Sequence, residues 1–152
     1  MKTLAILLVV CTTIFIGCKQ GIKSSSSALL DARFEQISED FLSGYLAWRP
    51  ELSVALGYHE FDGKVSNFSK ESLQKEHDRL IKYDKLLNGL DTSALSPRIY
   101  FDLRILQCAI KNEIFNFEEM ESFTKNPMTY AGELNVSIYV KRNFAPLEDR
   151  LR

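Results

Sequence analysis

Apolar residues recur along this chain at steps of three and four, which is the spacing of one face of an α-helix. One apolar stripe ends just before Pro50, and a second runs from Pro97 to about Ser122. We therefore expect two long helices that pack against each other. The first stripe consists of Leu30, Phe34, Ile37, Phe41, Tyr45 and Trp48, and the second of Ile99, Leu103, Leu106, Ile110, Ile114 and Phe117.

Two more helices are predicted between these stripes. They cover Pro50 to Leu56 and Ser69 to Asn88, and each is followed by a glycine that suits a helix C-cap. No segment alternates apolar and polar residues for long enough to require a strand, and the one ambiguous stretch, residues 136–140, is interpreted as helix. The pattern predicts an all-α fold, in which several long amphipathic helices form an irregular bundle.

All four prolines stand at the start of a stretch with helical spacing. Proline is favoured at the first helical position because its missing amide hydrogen needs no partner there. Ser96 and Asn126 precede two of these prolines and are good N-cap residues. After Pro146, early acids and the spacing of Leu147 and Leu151 predict the opening of another helix. We expect the chain to be the N-terminal part of a longer protein; a short docked C-terminal helix is the alternative.

The composition is that of one globular domain. The chain has 152 residues, of which 45% are hydrophobic and 26% charged, and its net charge is -1. Such a balance creates no field that would attract nucleic acid. We therefore expect no nucleic-acid partner.

The first segment has the order of a bacterial lipoprotein signal. Lys2 precedes an uncharged apolar run from Leu4 to Ile16, which is too short to span a bilayer core that needs about 20 residues. A small residue, Gly17, then stands directly before Cys18. This predicts cleavage before Cys18 and lipidation of its thiol, which anchors the protein in a membrane. A conventional secretory signal with an ordinary buried Cys18 is the alternative.

This gives three predicted regions: a signal peptide over residues 1–17, a flexible tether over 18–29, and an incomplete helical domain over 30–152. The tether is predicted from Gly21 to Ser27, whose glycine and serines favour a flexible chain. The expected location is the bacterial cell envelope. Lys19 in place of an acidic retention signal favours the outer membrane, where the cell has one.

Residues that often carry chemistry are explained more simply by structure. His59 is expected in a loop or capping role, and His77 on a solvated helix face, because neither has a second histidine one turn away. Cys108 lies between Leu106 and Ile110, so a packed thiol is expected. The late acids of the second stripe are interpreted as a solvated face; they are Glu113, Glu118, Glu119 and Glu121. No catalytic residue and no metal site is predicted in this chain.

Three stretches together resemble the N-terminal region of the bacterial family called domain of unknown function 885. They are RPELSVALGYHEFDGKVSNFS (Arg49–Ser69), LLNGLDTSALSPRIYFDLRILQCAI (Leu86–Ile110) and NPMTYAGELNVSIYVKRNFAPLEDRLR (Asn126–Arg152). Each stretch is a weak match alone, but their order and spacing are specific. The resemblance covers about Phe41 to Arg152.

The resemblance implies a longer, all-helical, zinc-metallopeptidase-like lipoprotein that acts on peptides. Its metal-binding His/Glu helix is expected in the missing C-terminal part, so zinc is expected there and this chain alone is expected to be inactive. The chain would form one wall of a substrate channel, with Tyr130, Arg142 and Arg150 as candidates for polar residues that face it. The competing hypothesis is a stand-alone helical lipoprotein that binds a partner at the cell envelope and leaves no apolar surface exposed.

Overall fold

The computed structural model describes residues 25–133, 137–141, 146 and 148. The described residues form helices and contain no strand, so the predicted all-α fold is confirmed. The helices are α1 Ser25–Trp48, α2 Pro50–Leu56, α3 Lys70–Asn88, α4 Pro97–Glu118, α5 Ser122–Lys125, α6 Pro127–Glu133 and α7 Ser137–Lys141, with a 3-10 helix at His59–Phe61.

Prolines begin three of these helices, as predicted. Pro50 and Pro97 stand in the first turn of α2 and α4, and Pro127 is the first residue of α6. Asn126 caps α6, because its side-chain oxygen accepts from the amide of Met128 at 3.0 Å. Ser96 is the N-cap residue of α4, but its side chain makes no capping hydrogen bond.

The two predicted stripes meet in one core. Helices α1 and α4 pack against each other and against α3, and apolar side chains from all three helices are withdrawn from solvent. Removal of this surface from water is the main favourable contribution to folding. The buried members are Phe34, Phe41, Leu80, Leu87, Ile99, Leu103 and Ile110.

A buried ion pair joins α3 to α1. Glu76, which is 3% exposed, accepts two 2.7 Å hydrogen bonds from the guanidinium of Arg79. Arg79 also donates from Nη1 to the carbonyl oxygen of Phe41 at 3.0 Å. Gly44 allows this approach, since a Cβ atom there would lie 3.3 Å from Nη1 of Arg79. The two charges of the pair neutralise each other, and the bond from Arg79 to Phe41 fixes how the two helices cross.

Two further polar side chains tie helix ends together. Asp31 of α1 accepts from the amide of Ser96 at 3.0 Å, which holds the start of α4 against α1. Gln107 of α4 donates to the carbonyl oxygen of Leu87 at 3.3 Å and to Asn88 at 3.1 Å. These bonds satisfy groups at the C-terminus of α3 that have no partner within that helix.

Three local predictions need correction. Cys108 is exposed rather than packed, because it lies on the side of α4 away from Leu103 and Ile110. Helix α4 ends at Glu118, earlier than the predicted Ser122. Helix α1 begins at Ser25, inside the predicted tether.

Several predictions fall on other parts of the chain. The signal peptide, residues 18–24 of the tether, and most of the helix predicted after Pro146 lie outside the described residues. The stretch interpreted as helix after residue 136 does form α7 over Ser137–Lys141. None of the described helices has the length and hydropathy of a membrane-spanning segment.

Helix α4 offers a matched test of this core. Leu103 is fully buried, and its truncation in Leu103→Ala is expected to lower the free energy of unfolding by about 2–5 kcal/mol through lost contacts and a cavity. Ile105 on the same helix is 68% exposed, so Ile105→Ala should change the free energy of unfolding by less than about 0.5 kcal/mol. Urea unfolding followed by circular dichroism measures both. Equal effects of the two substitutions would show that the assigned face of α4 is wrong.

Candidate functional site

Five aromatic side chains from different elements form one cluster near the C-terminal ends of α1 and α4. The ring of Trp48, at the end of α1, lies 5.8 Å from Phe68, 6.4 Å from Phe117 and 6.0 Å from Phe123, measured between centroids. Phe117 and Phe123 are 4.7 Å apart, and Phe68 and Tyr130 are 5.6 Å apart in an edge-to-face arrangement. Aromatic pairs of this kind stabilise a fold by more than the burial of their surface alone. We call these five residues the aromatic cluster.

The outer side of this cluster borders a groove of about 490 Å³, within the usual range for ligand sites. Helix α3 forms one wall of the groove, and the ends of α4, α5 and α6 form the other. We call it the aromatic groove. Its lining residues are Phe68, Lys70, Leu73, Gln74, His77, Phe117, Glu118, Glu121, Phe123, Thr124 and Tyr130.

Tyr130 is the one predicted channel residue that the structure describes, and it lines this groove. Its ring packs on Phe68, and its hydroxyl donates to the carbonyl oxygen of Phe123. Tyr130 is therefore held in place by both ends of its side chain. The other two channel candidates, Arg142 and Arg150, and the predicted lipidation site, Cys18, lie outside the described residues.

A histidine–carboxylate pair lies in the wall of the groove. Nε2 of His77 donates to Glu118 at 2.9 Å, since an ionised carboxylate can only accept. The side chain of His77 is 24% exposed and its ring lies 5.5 Å from Phe117. His77 is therefore partly exposed, and the prediction of a solvated face holds for it only in part. The sequence held no signal for the pair, because its partners are 41 positions apart on two helices.

Glu121 connects α4 to α5 in a conformation that non-glycine residues seldom adopt. Its φ of 44° places it in the left-handed region, where backbone strain has to be offset by surrounding contacts. Its carboxylate accepts a 2.6 Å hydrogen bond from Lys125, and this bond lowers the pKa of Glu121, with a smaller effect from Thr124. The turn brings Phe123 back against Phe117 and closes one end of the groove.

Arg49 contacts the aromatic cluster through the ring of Trp48. It stands between α1 and α2, with its guanidinium 4.2 Å from the ring centroid of Tyr45 and 4.8 Å from that of Trp48. It donates to Glu113 of α4 at 2.8 Å, and burial raises the pKa of Tyr45 despite the nearby cation. Glu113 is half-buried in this pair, so the prediction of a solvated acid there was wrong.

A second nitrogen of this guanidinium, Nη1 of Arg49, is buried without a hydrogen-bond partner within the described residues. Arg49 borders a smaller cavity of about 240 Å³, whose lining also includes Trp48, Phe68, Glu113 and Asn116. Buried polar atoms without partners are uncommon in folded proteins. This region is therefore more polar than the aromatic groove on the other side of Phe68.

The groove has the chemistry of a binding surface. Aromatic faces can pack on an apolar side chain, while Lys70 and the His77–Glu118 pair offer groups for polar contacts. His59, the other histidine, lies in the 3-10 helix with Nδ1 3.1 Å from Asp62, in line with the loop role expected for it. Among residues 25–133, 137–141, 146 and 148, no three His, Cys, Asp or Glu side chains are grouped so as to hold a metal ion.

Comparisons of the chain with protein families, with curated proteins and with solved structures find no match. The geometry of the site is therefore the basis for assigning it a role.

The Glu121–Lys125 pair gives a prediction for the pH dependence of the turn. Because the folded-state pKa of Glu121 lies below its ordinary value of 4.5, the pair stabilises the fold above pH 4.5. That contribution is lost as pH falls through the lowered pKa. In Lys125→Ala the pKa of Glu121 should return towards 4.5, as measured by carbon-detected NMR titration. An equally low pKa in Lys125→Ala would rule out Lys125 as its cause.

Proposed function

We propose that this chain is the N-terminal segment of a membrane-anchored bacterial lipoprotein similar to the domain of unknown function 885 family of zinc-metallopeptidase-like proteins. In this proposal the segment is not catalytic by itself. Its aromatic groove forms one wall of the channel that holds a peptide substrate. The zinc and the catalytic residues belong to a part of the protein beyond this chain, and lipid on Cys18 anchors the whole at the cell envelope.

The main support is that two of the three stretches carrying the resemblance meet at the groove. Phe68 comes from the first stretch and Tyr130 from the third, and their rings pack edge to face with centroids 5.6 Å apart. These positions are 62 residues apart in the chain. A fold that brings such distant, family-like stretches to one concave surface is what a shared binding site requires.

The groove also suits a peptide in its chemistry. The rings of Phe68, Phe117 and Tyr130 can contact an apolar or aromatic side chain of the substrate. Lys70 provides a cation for a carbonyl oxygen or a terminal carboxylate, and Glu118 provides a carboxylate for an amide or a terminal amine. A substrate side chain and its flanking backbone would thus be recognised by different walls.

Exposed apolar residues on α4 favour this proposal over the stand-alone lipoprotein, which predicts none. Phe101 and Phe115 lie on the outer side of the helix, line neither of the two larger grooves, and are 64% and 49% exposed. Large apolar side chains that are exposed on one side of a helix are typical of a surface that another polypeptide covers. A segment of a larger protein would leave such a surface where the remainder docks.

The test uses the complete gene product that contains this chain. We expect it to bind zinc stoichiometrically and to hydrolyse peptides, while residues 1–152 alone do neither. Gln74→Trp, which places a large ring in the groove without removing a core contact, should lower kcat/KM by about tenfold, mainly through a higher KM.

Lys75→Trp is the matched control, because Lys75 is exposed on the same helix and does not line the groove. It should leave kcat/KM unchanged. A complete gene product that binds no zinc would remove the peptidase proposal. Equal activity of the Gln74→Trp and Lys75→Trp proteins would leave the peptidase but exclude this groove as its channel wall.

A further inference from the structure

A second groove, of about 750 Å³, runs between α1 and α4 on a face that the aromatic groove does not share. We call it the α1–α4 groove. Its floor consists of core side chains, and its sides carry partly exposed apolar residues. The floor includes Phe34, Phe41 and Ile99, and the sides include Leu42, Ile105 and Ala109.

The shape of the groove fits one short helix. It extends along α1 from Phe34 to Tyr45, which corresponds to about 16 Å or three helical turns. Leu42 and Ile105, on opposite sides, are 43% and 68% exposed, so each has apolar surface left to bury. Small residues at Ser38 and Ala109 allow a backbone to approach closely. An amphipathic helix lying in an apolar groove is a recurring mode of protein recognition.

The charges around the groove are mostly negative. Four carboxylates line it, from Glu35, Glu39, Asp102 and Glu113, and Arg98 is the one cation among its lining residues. Glu35 of α1 pairs with Arg98 of α4 at 3.0 Å, and Glu113 of α4 pairs with Arg49 at 2.8 Å, so these two acids are already neutralised.

Glu39 and Asp102 remain available. They face the groove from α1 and α4 respectively, both are exposed, and neither has an ion-pair or hydrogen-bond partner within the described part of the chain. A helix with basic residues on both sides of an apolar stripe could therefore form an ion pair on each side of the groove. Charge complementarity of this kind selects partners and their orientation more than it adds affinity.

We propose that the α1–α4 groove binds a basic amphipathic helix of a partner polypeptide. The apolar stripe of that helix packs on Leu42, Ile105 and Ala109, and its flanking Lys or Arg side chains pair with Glu39 and Asp102. This site is separate from the peptide channel proposed above and does not depend on it.

The experiment measures binding of labelled helical peptides to the full chain by fluorescence anisotropy. A basic peptide of about four turns carries a Leu/Ala stripe flanked by lysines, and an acidic peptide has the same stripe flanked by glutamates. The full chain should bind the basic peptide at least about tenfold more tightly than the acidic one. The double substitution Glu39→Lys/Asp102→Lys should reverse this preference.

Asp40→Lys/Asp78→Lys is the matched control, because both of these aspartates are exposed on helices and lie outside the groove. It should keep the preference for the basic peptide. Ile105→Lys, which changes a groove wall without touching the core, should abolish binding of both peptides. Circular dichroism confirms that each variant is helical.

Three results would overturn the proposal: no binding of the basic peptide, equal binding of both peptides, or an unchanged preference in Glu39→Lys/Asp102→Lys. Sedimentation of the chain tests one further outcome, the formation of a dimer. A dimer that forms with rising concentration and displaces the peptide would assign the groove to a second copy of the chain, and would equally contradict a partner helix.

Discussion

The contact of Trp48 with its neighbours is the interaction on which the rest of this structure depends. The indole lies where α1 ends, donates to the hydroxyl of Ser72 in α3 at 3.2 Å, and touches rings from the segment before α3, from α4 and from α5. Arg49 covers one of its faces and reaches Glu113 of α4. A single side chain thus joins the three long helices to the short ones that border the aromatic groove.

Polar contacts inside the bundle give these helices one arrangement. Apolar burial is not directional, so the core alone would tolerate small rotations of α1, α3 and α4. The Glu76–Arg79 pair, Asp31 and Gln107 each require a particular partner on another helix. Because an unsatisfied buried group is costly, these contacts limit the ways in which the helices can pack. The same helices form the walls of the two grooves.

The sequence pattern was sufficient for the three long helices and for much of the core. The periods of α1 and α4, and the prolines and glycines at helix ends, are local signals, and they correctly placed Phe34, Phe41 and Leu103 in the interior. The same periods assign Cys108 to the outer face of α4, although its apolar neighbours in the chain favoured a packed thiol.

The candidate site was harder to predict, for two physical reasons. His77–Glu118 and Arg49–Glu113 join residues far apart in the chain, and a pattern of one residue type every few positions carries no information on such pairs. Glu121 adopts a left-handed conformation without being glycine, so nothing in its identity indicated a turn between α4 and α5. Tyr130 was identified from the resemblance, and the groove around it became visible only when the helices were placed together.

Trp48 is the only tryptophan in the chain, so its fluorescence reports on the aromatic cluster while far-ultraviolet circular dichroism reports on all helices. The most direct test of this account is a urea titration followed by both signals in one sample. If Trp48 couples the groove to the bundle, the two transitions coincide, with the same midpoint and slope. A fluorescence transition that is complete before the helices unfold would contradict that coupling, and with it the role assigned here to Trp48.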